Sequence, residues 1–224
     1  TRAGLTQVIA ERKTADLGAD GMGRLTMSGA GVSPITLAED ASPSAFGLKL
    51  SAVSSTLTGA TVTGPAGTPA GISVDLNGVN PNEGDKLSVT FNLPDGTSES
   101  VTLTATTKSP PQPGEFLIGA DAATTSDNLQ AALQGGVKTL ANTALVAASA
   151  VAASNGFFGS PPQRVDTSGG PLDSATGLVD GTAANTISWY TGEPAQGASD
   201  SARGTAVGKI DQSITVQYGA RANE

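Results

Sequence analysis

The apolar and polar positions of the chain fall into two regimes. Near the start, Leu5, Val8 and Ile9 sit at i, i+3 and i+4, while Glu11, Arg12, Lys13 and Asp16 fill the remaining faces. That spacing predicts a short amphipathic helix, which Gly18 and Gly21 stop. From Leu25 onward the period becomes two. Leu25 and Met27, Ile35 and Leu37, then Leu48, Leu50 and Ala52 alternate with Thr, Ser and Lys and are separated by Gly, Pro and Ser. Each run predicts a strand with one buried face. Six Gly and Pro residues between Leu57 and Gly71 predict a loop there, and Ile72, Val74 and Leu76 predict the next strand.

The clearest local signal is a hairpin. Leu87, Val89, Phe91 and Leu93 alternate with Ser88, Thr90 and Asn92, Pro94-Asp95-Gly96-Thr97 supplies a turn, and Val101, Leu103 and Ala105 resume the alternation. Pro110, Pro111 and Pro113 break the chain, and Phe116 to Ile118 predict a short strand. A helix follows, capped at Thr125, Ser126 or Asp127, with Leu129, Leu133, Val137 and Leu140 on one face. The small apolar run Leu145 to Phe158 reads as a returning strand. Residues 159–185 read as a surface connection, followed by Ile187 and Trp189 and a final alternating run from Ala206 to Tyr218. The predicted fold class is α+β, mostly β: antiparallel strands with one packed helix at about 125–142, plus the short N-terminal helix.

Composition narrows the chemistry. The 224 residues include no Cys and no His, so a thiol nucleophile, a disulfide framework, an imidazole metal site and a Ser-His-Asp triad are all unavailable. Twelve Lys and Arg against 20 Asp and Glu give a net charge of −8, with the acidic residues scattered. A polyanion needs clustered cations, so nucleic acid is not an expected partner. No run approaches the eighteen apolar residues of a spanning helix, and no membrane partner is expected. With 34 Ala, 27 Thr and 22 Ser, small and hydroxyl side chains dominate, a bias suited to exported, self-assembling β-rich proteins. The first residues lack an initiating Met and a signal-peptide core, so the sequence reads as a piece of a longer chain.

No motif rises to a site. The segment Gly64-Pro65-Ala66-Gly67-Thr68-Pro69-Ala70-Gly71 is glycine-rich but has no Lys and no following helix to hold phosphate. Asp16, Asp20 and Gly21, and separately Asn80, Asn82, Glu83 and Asp85, carry oxygen ligands without the spacing or closing Glu of a calcium loop, and read as turn residues. No Ser stands three residues before a Lys. The few aromatics argue against sugar platforms beside a carboxylate pair. Trp189 and Tyr190 read as core beside Ile187. The expectation is therefore no enzyme, with no catalytic, cofactor-binding or metal residues and no cofactor.

Three segments carry a resemblance: Leu5-Thr-Gln-Val-Ile-Ala-Glu-Arg-Lys-Thr-Ala-Asp-Leu-Gly18, Thr186-Ile-Ser-Trp-Tyr-Thr-Gly-Glu193, and Ile210-Asp-Gln-Ser-Ile-Thr-Val-Gln-Tyr-Gly-Ala-Arg-Ala-Asn-Glu224. They resemble the inner flanks of bacterial flagellins and hook-associated junction proteins, particularly the large alphaproteobacterial type. The resemblance covers roughly the first 25 and last 40 residues and is weaker between them. It implies that residues 1–30 and 182–224 are stem-proximal flanks and that 31–181 form a variable outer module, with a hairpin-strand-helix-strand core at 87–158. It further implies an extracellular structural role in the flagellar filament. Polymerisation with other copies of the chain would run through helices outside these 224 residues, with possible further contacts to neighbouring flagellar subunits. A hook-filament junction protein, or a glycan-binding adhesin or phage-tail module, are the alternatives.

Overall fold

The computed structural model describes residues 2–159, 161–189 and 206–219. Two four-stranded sheets and one long helix share a single hydrophobic core. The first sheet has strand order β1 (Leu25–Ala30), β2 (Ser33–Glu39), β5 (Gly71–Asp75), β4 (Thr61–Ala66), all antiparallel. The second has order β3 (Lys49–Ser55), β6 (Lys86–Asn92), β7 (Ser98–Thr106), β8 (Glu115–Leu117), antiparallel except for the last pair. The architecture is thus α+β and mostly β, as the periodicity predicts.

The β6–β7 hairpin shows why. Leu87, Val89 and Phe91 are buried, and the positions between them are not, so one face of the pleat lies against the core. On the outer face Ser88 pairs with Thr102 (2.9 Å), Thr90 with Ser100 (2.8 Å) and Asn92 with Ser98 (2.8 Å), three successive polar rungs that satisfy one another.

The helix that covers the second sheet is α2 (Ala122–Leu140). It buries Leu129, Leu133 and Val137, with Leu140 partly buried. Gly136 lets it approach β7: a Cβ there would lie 2.6 Å from Val101 Cγ1. Its cap is Asp121, whose side chain accepts from Thr124 N–H at 2.7 Å, four residues ahead of the first cap position expected from sequence. Thr125 and Ser126 are instead buried in the first turns; Thr125 Oγ1 donates to Asn80 Oδ1 (2.7 Å) and accepts from Gly119 N–H (2.8 Å).

Three expectations are corrected. The run Leu145 to Phe158 is not a strand: α2 continues through a π-turn at Ala141–Leu145 into α3 (Val146–Phe157). Alanine is the strongest helix former and Val146 and Val151 are the run's only β-branched residues, so backbone preference agrees with the helix. The stretch 57–71 contains β4, an edge strand, where Pro65 costs no ladder hydrogen bond to a second neighbour. Residues 159–185 hold a small two-stranded sheet, β9 (Gln163–Val165) with β10 (Leu178–Asp180), and bury Val165 and Ala175 against Ala15 and Phe46.

The continuous helix over Ala122–Phe157 has an 18-residue window of mean hydropathy 1.3, so by length and composition one helix could cross a membrane, contrary to the sequence expectation. Here its inner face, Leu129 to Ala148, is the centre of the shared core. The N-terminal helix α1 (Leu5–Leu17) packs on α3, with Val8 and Ala3 against Ala153 and Phe157.

Candidate functional site: a polar clamp joining distant parts of the chain

Two stretches far apart in sequence meet beside α1. Ala3 N–H donates to Asn185 O and Ile187 N–H donates to Ala3 O, both at 2.8 Å, forming a parallel bridge between Ala3 and Thr186. Everything from Gly4 to Asn185 is therefore enclosed between two segments that lie against each other.

Side chains reinforce that junction. Arg164, on β9, grips Glu11 of α1 with two contacts, Nη2 to Oε1 at 2.6 Å and Nε to Oε2 at 2.8 Å. The same guanidinium donates through Nη1 to Asn185 O and Thr186 Oγ1, each at 3.1 Å. One planar cation thus ties three segments, a geometry that Lys cannot reproduce.

A second part of the clamp is buried. Arg12 Nε donates to Asp16 Oδ2 at 2.8 Å, Arg12 Nη2 donates to Ala45 O at 2.9 Å, and the guanidinium lies 4.8 Å from the Phe46 ring centroid. Asp16 Oδ1 accepts from Gly47 N–H at 2.8 Å. Gly47 has φ +82°, and a Cβ there would stand 2.4 Å from Arg24 Cβ, so only glycine brings this loop close enough. Arg24 in turn donates through Nη1 to Asp173 O (2.7 Å) and Ala175 O (3.0 Å), and its Nε lies 2.6 Å from Asp40 Oδ2 as an ion pair without an aligned hydrogen bond. Each cation fixes backbone from a remote segment, so the cluster joins parts of the chain far apart in sequence.

The polar residues weighed as calcium ligands are all engaged elsewhere. Asp16 is committed to Arg12 and Gly47, and Asp20 Oδ1 accepts from Met22 N–H at 2.9 Å. Asn80 bonds Gly119 O and Thr125, Asn82 bonds Thr58 Oγ1, and Glu83 accepts from Thr107 Oγ1. Among the described residues no group of three or more acidic side chains is arranged to hold a metal ion. The glycine-rich stretch 64–71 joins β4 to β5, so no helix N-terminus stands behind it. Trp189 is not core: it is 42% exposed, edge-on to Phe158, and its Nε1 donates to Phe158 O at 2.9 Å. Ile187 is similarly half-exposed, and Tyr190 lies outside the described residues.

Asp85 staples two loops by accepting from the Thr58 (2.8 Å) and Asn82 (2.9 Å) backbone N–H groups, and these bonds, that from Thr58 foremost, hold its carboxyl below the ordinary 3.8. A depressed folded-state value contributes stability above the unfolded value and loses it as pH falls through the folded one. Wild type is therefore expected to be more stable than Asp85→Asn at neutral pH. The gap between their urea midpoints should close on going from pH 7 to about pH 2.5. An unchanged gap would mean that the carboxylate does not carry the staple.

Sequence reasoning missed Arg164, Glu11, Arg24 and Phe46. The i, i+4 spacing of Arg12 and Asp16 was the one available signal, and it reads equally well as a solvated face. No protein-family model, curated protein or solved structure matches the chain.

Proposed function

We propose that the chain is the surface-exposed central region of a flagellin-like filament subunit, with a structural rather than an enzymatic role. The supporting observation is the bridged and clamped junction of Ala3 with Thr186, because a module inserted in a longer chain must leave and return at neighbouring points. The bridge is parallel, so the chain at Ile187 still travels in the direction it had at Ala3. In this reading the body between the two segments decorates the filament and sets its diameter and surface chemistry. The clamp transmits load between stem and body. The acidic, hydroxyl-rich exterior keeps a densely repeated surface soluble.

Immunogold electron microscopy with antibodies raised against this chain, applied to the bacterium that makes it, tests the proposal. Gold along the whole length of the flagella is the expected result. A single cluster where hook meets filament would make the chain part of a junction protein, and label confined to the cell body would make it an adhesin; either overturns the reading.

A further inference from the structure

The bridge beside α1 sets the directions in which the chain leaves the body. Ala3 N–H reaches Asn185 O and Ile187 N–H reaches Ala3 O, so the two segments run the same way. The chain before Ala3 therefore leaves at one end of the pair, and the chain after Ile187 leaves at the other. Tension between them slides the segments past each other and loads both hydrogen bonds at once, across their length. Ala3 and Thr186 are 1% and 2% exposed, so water has no ready access to replace those bonds as they stretch. Arg164 spans the same gap. Its guanidinium holds Glu11 on the Ala3 side and Asn185 O with Thr186 Oγ1 on the other, so its four contacts share the load with the bridge.

Inside the body the geometry is the opposite. Tension that entered at Gly4 would reach β1 at Leu25 and leave β2 at Glu39, and these two residues face each other in the register. The pair is then pulled apart from one end, and its hydrogen bonds fail one at a time. The same holds for β9 and β10, where Gln163 and Asp180 are partners, and for β6 and β7, where Lys86 faces Thr104. An antiparallel pair joined by its own connection always presents its two open ends together. These hairpins unzip under tension along the chain, whereas the parallel bridge has to shear.

We propose that this junction is a shear clamp: tension along the chain passes between Ala3 and Ile187 through the bridge and the Arg164 guanidinium, and bypasses the body at residues 4–185. The body stays folded while the chain on either side is pulled. Ala3, Glu11, Arg164 and Thr186 all lie outside the shared core of the two sheets, so the resistance is local to the junction. Arg164 suits the task because its planar fork holds both segments through one rigid group, where a Lys would hold them by a single swivelling ammonium. The proposal concerns tension along the chain rather than load between stem and body, and its geometry is the same whatever larger assembly the chain serves.

Single-molecule stretching of the 224-residue chain, held by peptide tags at its two ends, tests the proposal. The hairpin of β11 (Val207–Asp211) and β12 (Ile214–Gln217) lies outside the bridge and gives a short release of about 40 Å. The body is expected to follow in one release of about 600 to 650 Å, at roughly 3.3 to 3.6 Å per residue. Forced unfolding reads a rate. Arg164→Lys, and separately Ile187→Pro, which removes the N–H given to Ala3 O, should each raise the rupture rate at fixed force about tenfold. Phe91→Ala lies off the path and should leave that rate within about threefold while lowering the urea midpoint. Ile72→Val, also in the core, makes the same comparison more mildly if Phe91→Ala does not fold. Three results overturn the proposal: unchanged rupture in both junction variants, a core variant that speeds rupture as much as Arg164→Lys does, or releases from the body at forces below that at which the junction breaks. Immunogold labelling reads where the chain sits and stretching reads how it carries tension, so either result stands if the other fails.

Discussion

Phe91→Ala is expected to destabilise the fold by about 3 to 5 kcal/mol, read as a shift of the urea unfolding midpoint with the slope unchanged. Phe91 is fully buried at the centre of the second sheet, opposite Leu50 on β3 and Glu99 on β7. The β6–β7 hairpin and α2 each have one apolar face and share a single core with the first sheet, so truncation at this point opens a cavity that three layers border. The main alternative is collapse of α2 into the gap. Gly136 already brings the helix to contact with Val101, and further approach is blocked there. A loss below about 1 kcal/mol would mean that the packing register or the partner is wrong.

The same residue shows how much of the fold could be read in advance. Strict alternation from Leu87 to Leu93 and from Val101 to Ala105 placed the hairpin, its turn and its buried face, because a period of two has no other low-energy interpretation when one side is polar. The run Leu145 to Phe158 had no such alternation. It was short of polar punctuation, and only the ranking of Ala as a helix former separates a buried helix from a buried strand. The helix cap was missed for a related reason: Thr125, Ser126 and Asp127 are all plausible caps, and the choice of Asp121 depends on Thr125 being drawn inward to Asn80, 45 residues away.

The clamp was less legible still. Arg12 and Asp16 look like solvent-facing charges on an amphipathic helix, and what buries them is the arrival of Phe46 and Gly47 from a loop that sequence spacing does not place. Arg164 lies 153 residues from its partner Glu11 in a stretch read as surface connection. Local pattern reports which face of an element is apolar. It does not report which distant backbone carbonyl will come to rest over a guanidinium, and at this site the junction is made of such contacts.

Asp16→Ala is expected to cost about 3 to 5 kcal/mol, because it leaves a buried guanidinium without its counter-charge. The Arg12 and Asp16 side chains are 9% and 0% exposed, so water cannot replace the lost partner, and Gly47 N–H loses its acceptor as well. An exposed i, i+4 pair would be worth only about 0.3 to 0.5 kcal/mol, so the measurement separates a clamp from an ordinary surface ion pair by a wide margin. The double variant Arg12→Leu/Asp16→Leu should recover part of the loss, since two apolar side chains bury at no electrostatic cost; the orphaned Ala45 carbonyl and Gly47 amide keep the recovery incomplete. The effect should also be local. Hydrogen exchange should rise in α1 and the loop 42–47 before it rises in β6 and β7, because the core of the two sheets does not pass through this pair. A cost below about 1 kcal/mol, or exchange that rises equally throughout, would show that α1 is held by its apolar contacts to α3 alone and that the buried charges do not join it to the body.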